Sequence, residues 1–265
     1  MVEPKTDRIQ IDYTLRFATL YHFGTGIRDV LVDRTVVRDS GGYLYVPGST
    51  FKGVLRERCE QLARLYAGSK QKERIESPHD PEAALWWLGE VKPTMPIRIF
   101  GSHTYPGRLF FDDARQDANE KAVYEGGDGN YKSLQVQTYT QVRIDRPTHT
   151  SVPGALYTSE FGNRDVNFYG KIRGALECLP VDLTAYADVR HIKDQRNAPT
   201  YSLLLLLAGL RMIDRLGGNK STGKGMCTCE ITSVTINNET IEAQQWESWL
   251  AHLEVLAKYN TEESQ

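Results

Sequence analysis

The Pro47-Gly48 break narrows the possible folds of this chain more than any other feature. Upstream, Val36 to Val46 reads as a strand, a Gly41-Gly42 turn and a second short strand. Downstream, Phe51, Val54, Leu55, Cys59, Leu62 and Leu65 recur at helical spacing, so one face of a helix is buried. Ser49 is expected at its N-cap, where a hydroxyl accepts an unpaired N–H of the first turn. Ser49, Lys52 and Arg56 fall on the other side, near the positive end of the helix dipole, an arrangement that suits an anion. An ordinary capped surface helix accounts for the same residues. Gly53 costs roughly 1 kcal/mol in a helix interior, so close approach of some other group to the backbone is expected there.

Around this break the chain alternates strands and helices. Residues 9–20 alternate apolar and polar, and Val30 to Arg38 is a further extended run containing Asp33. The helix from Ser49 extends to about Tyr66. Residues 68–80 read as a polar loop, and Pro81 to Leu88 as a short helix carrying Trp86 and Trp87. A strand follows at Gly107 to Phe111, then an exposed Asp/Gly/Asn/Lys-rich insertion at 113–137. Thr138 to Asp145 alternates and Pro147 to Gly154 reads as a long loop. Val166 to Leu179 is a strand, Pro199 opens a helix to Leu216, Met226 to Ile236 is a strand, and Ile241 to Ala257 is an amphipathic helix. Without the excursions the order is βαββαβ, an α+β ferredoxin-like or RRM-like sheet, a common platform for RNA.

Length and composition bound the rest. The 265 residues, 40% hydrophobic and 25% charged, suffice for one large domain or two small ones. A net charge of −2 argues against a generally basic nucleic-acid coat, but the charge is uneven. Residues 132–224 carry 13 Lys/Arg against 8 Asp/Glu, whereas 230–265 carry one Lys against seven Glu. The four cysteines form no CxxC pair and no leader is evident, so reduced thiols in a cytoplasm are expected. Leu203 to Leu207 is too short to span a membrane, and no membrane role is expected. The six histidines show no metal-ligand spacing, so no structural zinc site is expected.

Gly217-Gly218-Asn219-Lys220-Ser221-Thr222-Gly223-Lys224-Gly225 comes within one residue of a P-loop, but Gly225 stands where a Ser or Thr should bind magnesium. It also follows a helix and opens a strand, the reverse of the P-loop order. Nucleotide hydrolysis is therefore not expected; amides, hydroxyls and two lysines suited to a phosphate backbone remain. Asp33, beside Arg34 and Arg38, reads locally as a solvated charge pair, and His22 as a structural hydrogen-bonder. Val142 to Thr150 ends a strand with Arg143 and Arg146 and enters an exposed loop, which reads as a charged hairpin tip or a wedge against a nucleic-acid strand.

Five segments in order resemble the RAMP superfamily, the repeat-associated proteins of CRISPR systems, and specifically the backbone subunit of type III effector complexes. They are Tyr45-Val46-Pro47-Gly48-Ser49-Thr50-Phe51-Lys52-Gly53-Val54-Leu55-Arg56, Ile99-Phe100-Gly101-Ser102, Gly107-Arg108-Leu109-Phe110-Phe111-Asp112-Asp113-Ala114, Ile144-Asp145-Arg146-Pro147-Thr148 and the glycine-rich loop. The resemblance implies one RAMP domain over 1–265, with insertions at about 68–106 and 113–137, a thumb hairpin at about 138–165 and a C-terminal helix at about 241–257. It implies copies or paralogous RAMP subunits stacked along a guide RNA, with target RNA paired to it. Ser49, Thr50, Lys52, Arg56, Lys220, Ser221, Gly223 and Lys224 would hold the guide, with His22 nearby. Arg143, Arg146 and Thr148 would lie on the thumb that splays one nucleotide out. Asp33-Arg34-Thr35-Val36-Val37-Arg38-Asp39 resembles the run that begins with the family's target-cleaving aspartate, which nominates Asp33 as catalytic, with a divalent metal such as Mg²⁺ whose ligands are not specified. The glycine-rich loop has Ser-Thr-Gly where the family commonly has Ser-Arg-Gly. The alternatives are a non-catalytic scaffold of the same complex and a repeat-processing ribonuclease.

Overall fold

The computed structural model describes residues 6–66, 94–102, 105–125, 131–181, 183 and 199–259. The sequence-predicted loop at 68–80 and the helix bearing Trp86 and Trp87 lie outside them. In chain order the elements begin with β1 (Thr6–Phe17), β2 (Tyr45–Val46), α1 (Gly48–Tyr66) and α2 (Met95–Phe100). Next come β3 (Leu109–Phe111), β4 (Ala114–Arg115), α3 (Ala118–Glu125) and α4 (Tyr131–Leu134). The hairpin strands β5 (Val136–Ile144) and β6 (Ser151–Gly162) lead to β7 (Asn167–Glu177) and α5 (Tyr201–Arg211). The chain closes with β8 (Cys227–Ile236), β9 (Glu239–Ile241) and α6 (Ala243–Leu250).

The main sheet runs β2-β4-β7-β1-β8-β9, with β3 also on β7 and every pairing antiparallel. Its centre, β8-β1-β7-β3, is the strand order of a βαββαβ ferredoxin-like fold, so the expected fold class is observed. The period-2 pattern of β1 buries Ile9, Ile11, Tyr13, Leu15 and Phe17. Tyr13 lies opposite Gly170 of β7 and stacks on Phe51 of α1 at 4.3 Å, which pins helix to sheet. Its ring fills the space over Gly170, where a Cβ would come within 2.3 Å of Tyr13 Cζ. α5 is buried from Tyr201 to Leu210 because it packs on α1, α6, the sheet and the 3-10 turn at Leu253–Lys258. Close packing of α1 and α5 requires Gly209, whose Cβ would lie 2.5 Å from Cys59 Sγ.

Several boundaries differ from the sequence expectations, each for a tertiary reason. α1 starts at Gly48, so Ser49 is inside the helix; the Phe51 N–H already donates to the Pro47 carbonyl at 3.1 Å. Pro199 lies before the helix; Thr200 is the N-cap of α5 and accepts from Leu203 N–H at 3.3 Å. That helix stops at Arg211 rather than Leu216, because the Asp214 carbonyl and Leu216 amide pair sideways with Cys227 and Gly225. The expected helix at 241–257 is divided: Ile241 pairs with Val234 as a strand, α6 ends at Leu250, and a 3-10 turn follows. Trp246 and Trp249 of α6 are buried in the core.

Residues 113–137 are not a freely exposed insertion. Ala114, Gln116 and Gln135 are buried, and Gln135 accepts from Leu44 N–H at 3.0 Å and donates to the Gly42 carbonyl at 3.1 Å, holding the Gly41-Gly42 turn. The loop expected at 147–154 shrinks, since β6 already begins at Ser151. The extended run expected over Val30 to Arg38 is bent at Val30, Leu31 and Asp33, where Asp29 N–H turns back to the Val32 carbonyl, and from Arg34 onward it forms only isolated bridges, through Arg34, Val36 and Arg38.

Candidate nucleic-acid interface

The hairpin β5–β6 organises the site. At its base Tyr21 and Gly162 exchange main-chain hydrogen bonds, and Gly162 leaves room for the Tyr21 ring. Beside them His22 Nδ1 lies 2.8 Å from the Glu160 carbonyl; a carbonyl only accepts, so Nδ1 carries the proton and Nε2 is left facing the side of Gly24. The segment carrying Asp33 is joined to the same strand. Asp33 N–H and Arg34 N–H both donate to the Thr158 carbonyl, at 2.9 and 3.1 Å, and Glu160 N–H donates to the Arg34 carbonyl at 2.9 Å. Asp33 Oδ2 accepts from Thr158 N–H at 2.9 Å. Glu160 completes the tie: its carboxylate accepts from Val36 N–H and from Arg38, each at 3.1 Å.

The sequence-level charge pair of Asp33 with Arg34 and Arg38 is therefore not what forms. Arg38 pairs with Glu160, and the Arg34 guanidinium lies 4.7 Å over the Tyr157 ring. Neither Glu160 nor Tyr157 was singled out from the sequence, because no local pattern links them to residues 33–38.

The glycine-rich loop docks against this base. Gly218 N–H donates to the His22 carbonyl and Gly225 N–H to the Leu20 carbonyl, both at 2.8 Å. Gly225, at φ 74°, is obligatory: a Cβ there would lie 2.0 Å from the Leu216 carbonyl oxygen. Lys220, Ser221 and Gly223 are exposed on a short 3-10 turn. Lys224 is half-buried instead, with its ammonium 5.5 Å from the Tyr139 ring centre and 5.4 Å from that of Phe161. The two lysines thus have different settings, one open and one resting on the hairpin base.

A cleft of about 730 Å³ opens where these parts meet, lined by His22, Asp33, Arg34, Leu156, Tyr157 and Asn219 among others. Ser49, Thr50, Lys52 and Arg56 lie outside it. At the start of α1, Gly48 N–H donates to Asp113 Oδ1 at 2.9 Å, so the chain's own carboxylate meets the first amide. Ser49 is exposed, and desolvation followed by the Arg56 charge lowers the pKa of Lys52. Arg56 is already engaged, with Glu60 at 2.7 Å and the Gly101 carbonyl at 2.9 Å. That contact ties the Ile99-Phe100-Gly101-Ser102 run to the helix. At the hairpin tip Arg143 and Arg146 are exposed, while the Thr148 hydroxyl donates to Asp145 at 2.7 Å. Val142, Ile144 and Leu156 add exposed apolar surface to the hairpin.

A family model described as RAMPs, RAMP superfamily, matches residues 14–228. The chain belongs to the RAMP superfamily. No curated protein matches it. Solved structures with similar chains include the apo state of type III-B Cmr-beta, at 13% identity, 84% of this chain, 97% of that chain and a TM-score of 0.48. They also include type III-B Cmr-beta bound to cognate target RNA, at 12% identity, 84% and 96% coverage and a TM-score of 0.48.

In this RAMP protein no group of three or more His, Cys, Asp or Glu side chains is placed to hold a metal ion among the described residues. The carboxylate lining the cleft is that of Asp33, with Oδ2 bonded to Thr158. Mg²⁺ is commonly bound by one or two carboxylates together with substrate phosphates. The donor set fits such an ion only as one shared between Asp33 and RNA oxygens. No described helix is long and apolar enough to cross a membrane.

Proposed function

We propose that this RAMP protein is a guide-RNA-binding backbone subunit of a type III CRISPR interference complex, and that it cuts guide-paired target RNA through Asp33. The observation that carries the reading is the cleft, which gathers Asp33, the His22 segment, the glycine-rich loop and the hairpin base around one space. Guide RNA lies along the exposed Lys220 and Ser221 and the start of α1, and neighbouring RAMP subunits continue the track. The hairpin, with Val142, Ile144 and Leu156 exposed, wedges against the paired bases and turns one target nucleotide into the cleft.

There the 2′-hydroxyl attacks the adjacent phosphorus while the bond to the 5′-oxygen breaks, leaving a cyclic phosphate and a 5′-oxygen that takes a proton from water to become a 5′-hydroxyl. Asp33 stands where a carboxylate accepts the 2′-proton or orients the hydroxyl. Asp33 would share a Mg²⁺ ion with the RNA, and that ion would supply charge neutralisation at the phosphate. The non-catalytic scaffold has one observation in its favour: the Asp33 carboxylate already serves the fold by accepting from Thr158 N–H.

Asp33→Asn separates the two, because an amide oxygen still accepts that hydrogen bond. In the assembled particle, cuts at this subunit's position are expected to slow by about 10² to 10⁴-fold, the usual contribution of a positioned acid or base. Guide retention stays unchanged. Wild-type cutting by an intact Asp33→Asn particle overturns catalysis by Asp33, and a wild-type particle that binds but never cuts supports the scaffold.

A further inference from the structure

Two arginines share the cleft with Asp33, and the sequence assigned neither a role in binding. Arg28 and Arg34 both line it, and neither forms an ion pair among the described residues. A guanidinium without a carboxylate keeps all its N–H donors for a ligand. Arg34 is moreover held in place. Its main chain is fastened to β6, through N–H to Thr158 and C=O from Glu160. Its guanidinium sits over the Tyr157 ring, 4.7 Å from the ring centre, so the cation is held there before any ligand arrives. Asp33, one residue away, gives its Oδ2 to Thr158 rather than to this cation. The result is a fixed cation beside a carboxylate, in a concave space of about 730 Å³.

We infer that Arg34, oriented by Tyr157, binds a phosphodiester of the target strand at the position presented to Asp33. This rests on the proposed function. The chemistry favours RNA over a carboxylate ligand because its phosphodiester can meet Arg34 while the adjoining ribose turns a 2′-hydroxyl, a hydrogen-bond donor, toward Asp33. The target strand is chosen over the guide because the glycine-rich loop gives this wall only Gly218 and Asn219, with Lys220, Ser221 and the start of α1 outside it, whereas Leu156 and Tyr157 of the hairpin line it.

The test uses the assembled, guide-loaded particle and a complementary RNA oligonucleotide, with affinity measured across a salt series. Because only the main chain of Arg34 makes the tether, its side chain can be changed without releasing Asp33. Arg34→Gln is expected to reduce the slope of log affinity against log salt by roughly 0.7–0.9, equivalent to about five- to eight-fold weaker target binding at 0.1 M salt. Guide retention is unchanged. Arg34→Lys restores the slope but not the full affinity, since an ammonium lacks the planar fork. Tyr157→Leu keeps the slope and weakens binding.

A purely structural stack predicts the opposite pattern, with Arg34→Gln and Tyr157→Leu altering stability alike and the slope not at all; that result overturns the inference. Loss of slope during guide loading rather than target binding also overturns it, by moving the contact to the guide. If the wild-type particle shows no salt-dependent target binding, the proposed function fails and this inference with it. If Asp33→Asn abolishes cutting while Arg34→Gln binds and cuts as wild type, only the inference fails.

Discussion

Gly53→Ala tests the start of α1 by setting stability against binding. Gly53 is exposed on α1, one turn beyond Ser49, and a Cβ built there meets no atom within 4 Å. Nothing within the described chain requires glycine at this point. Alanine is better than glycine in a helix interior by roughly 0.5–1 kcal/mol, because glycine loses more backbone freedom on folding. A change of 1 kcal/mol moves the melting temperature of a domain of 150–250 residues by about 2–4 °C. The variant should therefore melt about 1–4 °C higher, which differential scanning calorimetry resolves. If RNA backbone lies against this face, the same methyl group meets it, and forced contact costs about 1–3 kcal/mol. That corresponds to about five- to 150-fold weaker guide binding at constant salt. The signature is opposite signs: a more stable protein that binds less well. Greater stability with wild-type affinity refutes close RNA approach at α1, and lower stability refutes the helix argument itself.

Three further outcomes follow from the packing. Gly170→Ala places a methyl group 2.3 Å from Tyr13 Cζ, on a ring clamped by Phe51, and should destabilise by about 1–3 kcal/mol or more in urea unfolding. Arg56→Ala leaves Glu60, whose side chain is 7% exposed, without its cation; a loss of about 3–5 kcal/mol is expected, with an unaltered salt slope for RNA if Arg56 serves the fold rather than the phosphate. Burial above all raises the phenol pKa values of Tyr13 and Tyr21 well beyond the ordinary 10. The folded state then keeps protons that the unfolded chain releases, so this stability is complete below pH about 10 and is lost as pH rises through the folded values. Both hydroxyls are buried without a hydrogen-bond partner among the described residues, so Tyr13→Phe and Tyr21→Phe should flatten the alkaline loss at little or no cost near neutral pH.

Much of the fold was legible because its signals are local. Alternation marked β1, and the apolar spacing of Phe51 to Leu62 marked the buried face of α1. The glycines of the turn at 217–225 announced positive φ, which Gly217, Gly223 and Gly225 adopt. Helix ends were less legible. A helical period continues through Ile213 and Leu216, but whether the backbone keeps coiling depends on Gly225 and Cys227 offering better partners. Likewise Ile241 looks helical until Val234 lies beside it.

The site divides the same way. Residue types alone marked a cation-bearing turn, a helix start after Pro47 and an acidic residue just before a strand-like run, because donors, acceptors and glycine conformations are properties of single residues and short runs. Which groups remain available was decided only by folding. Lys224 rests on Tyr139 and Phe161, Arg56 is held by Glu60 and Gly101, and Asp113 meets the first amide of α1. Arg34 is left open over Tyr157, and Asp33 is fastened to Thr158 at the edge of the cleft. Apart from Arg56 with Glu60, one helical turn apart, each of these pairings joins residues far apart in the chain. A side chain's chemistry is written in its own position, but its partner is whichever strand the sheet and hairpin bring alongside.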